Sequence, residues 1–224
     1  MTIGTEERAA ETWDDDGGHA ASNAGPGIES IGYFAAKTFQ IPELKGISTR
    51  NIQEHLELYK GYVKFSNHIL NRMRELPMDE AHSYERCLLQ RRFAYEHNGM
   101  MLHELFFDQF VGGPGACVKD GPFLNQIVKD FGSFEALVTC LKGIAMTRSV
   151  GWTMLYSCPD TSQLIAHWID EHHVGLLSGA RPILALDMWE HAFACDYSAS
   201  QKRQYVDAFF QNLSWIKVEA RFGK

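Results

Sequence analysis

Asp187 and His191 stand four positions apart, with Trp189 and Glu190 between them, directly after the apolar run "ILAL". Ionisable groups abutting a buried run are costly unless they are solvated, paired or bound to something. The i, i+4 spacing sets Asp187 and His191 on one face of a helical turn. Their blander reading is an N-capping aspartate beside a buried histidine. Two more imidazoles lie on apolar helix faces upstream: His55 shares a stripe with Tyr59 and Tyr62, and His103 shares one with Met100, Phe106 and Phe107. Each alone reads as a core histidine. Joined, His55, His103, His191 and Asp187 offer three nitrogens and one oxygen. That donor set suits Mn, Fe, Co or Zn and is too nitrogen-rich for Ca or Mg.

The chain holds 10 histidines, and most need no chemistry. His19 lies in an acidic, Gly/Ala-rich N-terminal stretch. His68, His82 and His97 fall on helical stretches where a solvated or capping role suffices, and His167 falls in a strand. The acidic triplet Asp14–Asp16 reads as a solvated charge run.

Positioning these groups requires two kinds of element. From Thr49 to Glu75, Ile52, His55, Tyr59, Val63 and Ile69 recur at helical spacing, with Thr49 as N-cap and Pro77 as the stop. A second helical stretch runs from about Asp79 to Phe110, and two long helices with a short connection form an antiparallel hairpin. The "GGPG" punctuation after Val111 marks a boundary. Beyond it, "FLNQIVKDFG" and "SFEALVTCLKGIAM" are helical, whereas "GWTMLYS", "TSQLIAHWI" and "ARPILALDMW" are short β-branched and aromatic runs that read as three strands. The tail from Ser198 returns to helix. The predicted class is α+β: residues 1–30 a disordered or loosely docked arm, 31–112 an antiparallel α-hairpin, and 113–224 an α/β domain with a three-stranded antiparallel sheet.

Composition excludes several functions. A net charge of −7 argues against nucleic acid as a partner. No window approaches the ~20 apolar residues of a membrane span, and the N-terminus has no apolar run of a secretory signal. The 5 cysteines form no CxxC pair, which reads as reduced cytoplasmic thiols. "GGPGAC" lacks the Lys-Ser/Thr ending of a phosphate loop.

The stretch "LDMWEHAFACDY" resembles the signature of the iron/manganese superoxide dismutases. The resemblance spans about residues 30–224. "QEHLELYKGYV" and "NGMMLHELFF" look like that family's two ligand helices, "SVGWTML" like its Gly-Trp strand, "WIDEHHVG" like the segment that reaches the metal-bound solvent, and "FFQNLSWIKVEARF" like its last helix. It implies an α-hairpin followed by an α/β domain, and superoxide disproportionation at one Fe or Mn ion per chain, with iron favoured. The implied ligands are His55, His103, Asp187 and His191, with the adjacent Glu54 as the alternative to His55. Tyr62 would gate the substrate funnel, and Trp152 and Trp189 would wall it. His172 would take the place of the usual Gln at the bound solvent, with Gly99 leaving room because the donor comes from the later segment. Superoxide would be steered locally by Lys60 and Lys202. The resemblance further implies a homodimer or dimer of dimers in which Glu190 reaches His191 of the other subunit. Two other readings stay open: a metal-binding relative without dismutation, and a non-haem iron oxygenase built on two His and one carboxylate.

Overall fold

A computed structural model describes residues 32–117 and 119–223; the arm expected over residues 1–30 lies outside them. The chain runs α1 (Thr49–Glu75), α2 (Ser83–Asp108), α3 (Pro122–Phe131), α4 (Phe134–Ala145), β1 (Gly151–Ser157), β2 (Leu164–Asp170), β3 (Arg181–Asp187), α5 (Lys202–Asn212) and α6 (Trp215–Glu219), with 3-10 turns at Glu190–Ala192 and Ala199–Gln201.

Helix α1 begins one residue earlier than a Thr49 cap would place it, because Ser48 is the cap. Its extended backbone lets the hydroxyl accept from Asn51 N at 3.1 Å. The helix ends where Leu76 turns extended, the conformation that Pro77 enforces on its predecessor. Ile52, His55, Tyr59, Val63, Ser66 and Ile69 form its buried face, packed against α2. Helix α2 is shorter than the sequence predicts. Asp79 draws His82 N (3.0 Å) and its ring (2.6 Å) into a turn, so the helix starts at Ser83. It ends before the left-handed Gly112 and Gly113.

Among the described residues the sheet has three antiparallel strands in the order β2-β1-β3. The central strand β1 is buried along its whole length. Pro182, which cannot donate to a ladder, sits on the edge strand β3. Helix α4 packs on β1 and β2, and α2 packs on β3. One clasp fixes α2 to the sheet: Gln109 Nε2 donates to Ala185 O (2.7 Å), and Ala185 N donates back to Gln109 Oε1 (3.0 Å). That bond sets the end of α2 against the middle of β3, so His103 and Asp187 face one another. The register pairs Trp152 with Asp187. Gly151 is required where β1 begins (φ +154), since a Cβ there would stand 2.0 Å from Ile169 O.

Candidate metal centre

The four donors come from four places in the chain and meet in one spot. His55 and His103 project from α1 and α2 with ring centroids 4.9 Å apart. Asp187 closes β3, and His191 follows on a 3-10 turn, so their i, i+4 pairing bridges a strand end and a turn rather than an α-helix. Asp187 Oδ1 accepts from Trp189 N at 2.9 Å, which aims Oδ2 inward, while Tyr205 donates to the Asp187 backbone carbonyl at 2.9 Å. Around Oδ2 stand the Nε2 atoms of His55 (3.2 Å), His191 (3.2 Å) and His103 (3.6 Å). One ligand atom from each residue lies within 4.8 Å of all the others. Phe106 and Phe107 pack on His55, and Trp152 packs on His103. His55, His103 and Asp187 are sealed from solvent.

A metal ion fits this donor set on grounds internal to the site. His103 Nδ1 lies 2.6 Å from Gly99 O, and a carbonyl can only accept, so the ring proton is on Nδ1. The neutral imidazole then turns a bare Nε2 lone pair toward a carboxylate oxygen. Two acceptors facing one another in an apolar pocket are unfavourable unless a cation lies between them. Among the described residues His103 Nε2 and both nitrogens of His55 have no hydrogen-bond partner. Burial holds His55 and, further, His103 below the ordinary imidazole range, favouring the neutral form that ligates. Burial alone would raise Asp187, but His191 and His55 together hold it well below the usual carboxylate range.

Beside the donors, Tyr62 and His172 meet. His172 is fully buried, whereas its neighbour His173 is half-exposed; left-handed Glu171 (φ +52) turns the chain directly before them. Trp152 Nε1–H donates to His172 Nδ1 at 3.0 Å, so the proton of the neutral ring sits on Nε2, 2.8 Å from the Tyr62 hydroxyl. Burial holds His172 down to about 3 and pushes the Tyr62 phenol well up. Trp189 stacks on both His172 and His191. The Tyr62 ring lies against Gly99, where a Cβ would stand 2.7 Å from its Cδ1. A side chain at position 99 and this Tyr62 rotamer exclude one another.

Glu54, the alternative to His55, is exposed and bound to Arg50 at 2.7 Å. Of the two lysines expected to steer an anion, Lys60 pairs with Glu57 at 2.5 Å, and half-buried Lys202 donates to Thr147 O at 3.1 Å. Arg50 and Glu54, paired with one another, line a cavity of about 490 Å³ beside His55 and His191, with Leu58, Ala194 and Cys195. Tyr95 escaped the sequence reading. It packs on His172, His173 and Tyr62, and the spacing 95, 99, 103 along one face of α2 was the available signal.

A family model described as "Iron/manganese superoxide dismutases, C-terminal domain" matches residues 119–221. Over 185 residues the chain is 38% identical to "Superoxide dismutase [Fe]" of Cupriavidus metallidurans, covering 81% of this chain and 91% of that one. The chain belongs to the iron/manganese superoxide dismutase family. It is also 32% identical over 189 residues to "Superoxide dismutase [Fe]" of Aquifex pyrophilus (81% of this chain, 86% of that protein). A manganese-named relative, "Superoxide dismutase [Mn]" of Haloarcula marismortui, is 35% identical over 130 residues, covering 57% and 63% of the two chains. The α+β architecture read from the sequence is that of this family.

Two outcomes follow from the geometry. His55→Ala should lose bound iron or manganese, whereas Glu54→Gln should retain about one ion per chain, as read by elemental analysis after metal loading; the reverse result would move the ligand register by one residue. Metal-free protein should also lose stability as pH falls from 7 to 5. The unfolded chain's histidines take up protons near pH ~6.5, while burial holds His55, His103 and His172 below that value in the fold, so the unfolded state binds more protons as the pH falls and stability drops with it. Urea unfolding at pH 7, 6 and 5 measures it, and a flat profile would contradict the assignment.

Proposed function

We propose that this chain disproportionates superoxide to oxygen and hydrogen peroxide at one mononuclear iron or manganese ion, iron favoured, held by His55, His103, Asp187 and His191. The observation that carries the reading is the His103 Nε2 lone pair facing Asp187 Oδ2 with two further imidazoles around the same oxygen. Iron is preferred because the two relatives above that cover four-fifths of the chain carry it in their names. An oxygenase built on two histidines would need His55 or His103 to stand apart, and both face the shared oxygen.

When bound, the ion supplies one-electron redox chemistry, taking an electron from one superoxide and returning it to a second, with two protons consumed per peroxide formed. Three neutral imidazoles and one carboxylate leave a trivalent centre net cationic, which draws an anion into the pocket. Asp187, fixed by Trp189 N–H and the His191 contact, holds its charge across the working pH range. His172 stays neutral, and its Trp152-fixed tautomer presents Nε2–H to Tyr62, so the two hold a polar, protonated flank beside the donors. Trp189, Trp152 and Phe106 keep bulk water from that flank. Zinc, lacking redox chemistry, would leave this arrangement without a purpose.

The ligands divide between the helical pair, read as domain 31–112, and the α/β part, 113–224. Glu190 is exposed, and His191 retains 23% side-chain exposure at the cavity. This supports an assembly of two or four copies in which Glu190 meets His191 of another copy. The 5 unpaired cysteines support a cytoplasmic setting. No described helix is long and apolar enough to cross a membrane.

The test is superoxide consumption by metal-loaded protein and two neighbouring variants. Wild type should be active. His172→Ala should keep its metal and lose activity by about 10- to 100-fold, whereas His173→Ala should be close to neutral. Equal activity in wild type and His172→Ala would remove His172 from the reaction.

A further inference from the structure

Ahead of α1, residues 33–41 lie across both helices that carry the first two donors. Phe34 N donates to Asn67 Oδ1 at 2.8 Å, and Asn67 Nδ2 donates back to Phe34 O at 2.8 Å. Further along, Lys37 N donates to the Tyr59 hydroxyl at 2.9 Å, and that hydroxyl donates to Glu104 Oε1 at 3.0 Å. The exposed Lys37 ammonium closes the ring by pairing with Glu104 Oε2. Tyr59 is sealed from solvent, and Glu104 is buried. A carboxylate between two packed helices is costly unless it is paired, so a chain folded for packing alone would place an apolar side chain there. Tyr59 stands one turn beyond His55, and Glu104 directly follows His103. The hydrogen-bonded ring therefore ties α1 to α2 at the level of those two histidines.

The two histidines are held differently. The His103 ring is fixed by Gly99 O. No group of the described residues bonds to His55 Nδ1, although an imidazole that ligates a metal is normally oriented through its other nitrogen. Packing must orient His55 instead. Phe107 supplies much of it, with ring centroids 4.9 Å from His55 and 6.2 Å from His103. Phe107 is itself held by Tyr59 (6.1 Å) and by Phe39 of the crossing segment (5.5 Å).

We propose that Tyr59, acting through Glu104 and Lys37, is a positioning residue of the metal centre. It fixes the spacing of α1 and α2, and with it the seat of Phe107 and the direction in which His55 presents Nε2. The proposal rests on the donor set of the dismutase reading and not on dismutation itself.

Iron-loaded wild type and variants are compared by the ferric electron paramagnetic resonance signal, by iron release to excess EDTA, and by superoxide consumption. Tyr59→Phe keeps the ring and its packing and loses only the hydroxyl. It should still take up about one ion per chain, but with a ferric signal of altered rhombicity and iron release about 10-fold faster than wild type. Glu104→Gln leaves Tyr59 an acceptor and should keep the wild-type signal, whereas Glu104→Met removes it and should reproduce Tyr59→Phe. The double variant Tyr59→Phe/Glu104→Met should release iron no faster than either single variant, because both changes cut the same bond. Lys37→Ala cuts the exposed leg of the ring without touching the core, so it reports even if a core variant does not fold; it should speed release by a smaller factor. An unchanged ferric signal in Tyr59→Phe, no faster release in Tyr59→Phe or Lys37→Ala, or effects that multiply in the double variant would overturn the proposal. A wild type that holds iron without consuming superoxide would remove the dismutase reading and leave this role standing. A wild type that binds neither iron nor manganese would overturn both.

Discussion

The structure turns on a conflict among buried acceptors that a bound cation resolves. Three imidazole nitrogens and one carboxylate oxygen converge in a pocket walled by Phe106, Phe107 and Trp152. At least one of those nitrogens, His103 Nε2, has no proton to offer. A buried polar group without a partner costs about 1–3 kcal/mol, and here several stand together around a buried negative charge. A chain folded for stability alone would fill this space with leucine. The site is a local frustration that a bound ion converts into binding energy, which couples metal loading to the stability of the fold.

The rest of the architecture is placed by that requirement. The four converging donors come from two packed helices, a strand end and a 3-10 turn, so no single element carries the site. What makes it rigid is the set of clasps between elements: Gln109 on Ala185, Tyr205 on the Asp187 carbonyl, and Met188 N on Gly151 O at 2.9 Å. The polar chain beside the donors obeys the same logic in one direction. An indole that can only donate fixes the His172 tautomer, which makes the Tyr62 hydroxyl the acceptor from Nε2–H. Gly99 is the spatial counterpart, since the Tyr62 ring occupies the volume of an absent side chain.

Much of this was legible in the residue order because the determinants are local. The apolar stripe of α1 and Pro77 give that helix its extent, and alternating burial with turn residues gives the strands. The "DMWEH" stretch announces a site because its charges follow an apolar run. Adjacent Glu54 and His55 lie about 100° apart on a helix, and only the packing of α2 decides which faces inward. Ser48 displaced Thr49 as cap because either hydroxyl could serve. The start of α2 moved because Asp79 captured His82, a side-chain bond that competes with the helix. Lys202 is drawn to Thr147 O by the crossing of α5 over the end of α4, which no local pattern records. Tyr95 was missed because its packing on His172 joins α2 to the loop after β2, which no local pattern records.

The central claim is that three imidazoles and one carboxylate share a single redox ion. X-ray absorption fine structure of the metal-loaded protein reads that set directly. The account predicts a first coordination sphere of nitrogen and oxygen only, with the outer-shell scattering of three imidazole rings. A sulfur scatterer, which would point to the nearby Cys195, or fewer than three imidazoles would contradict it.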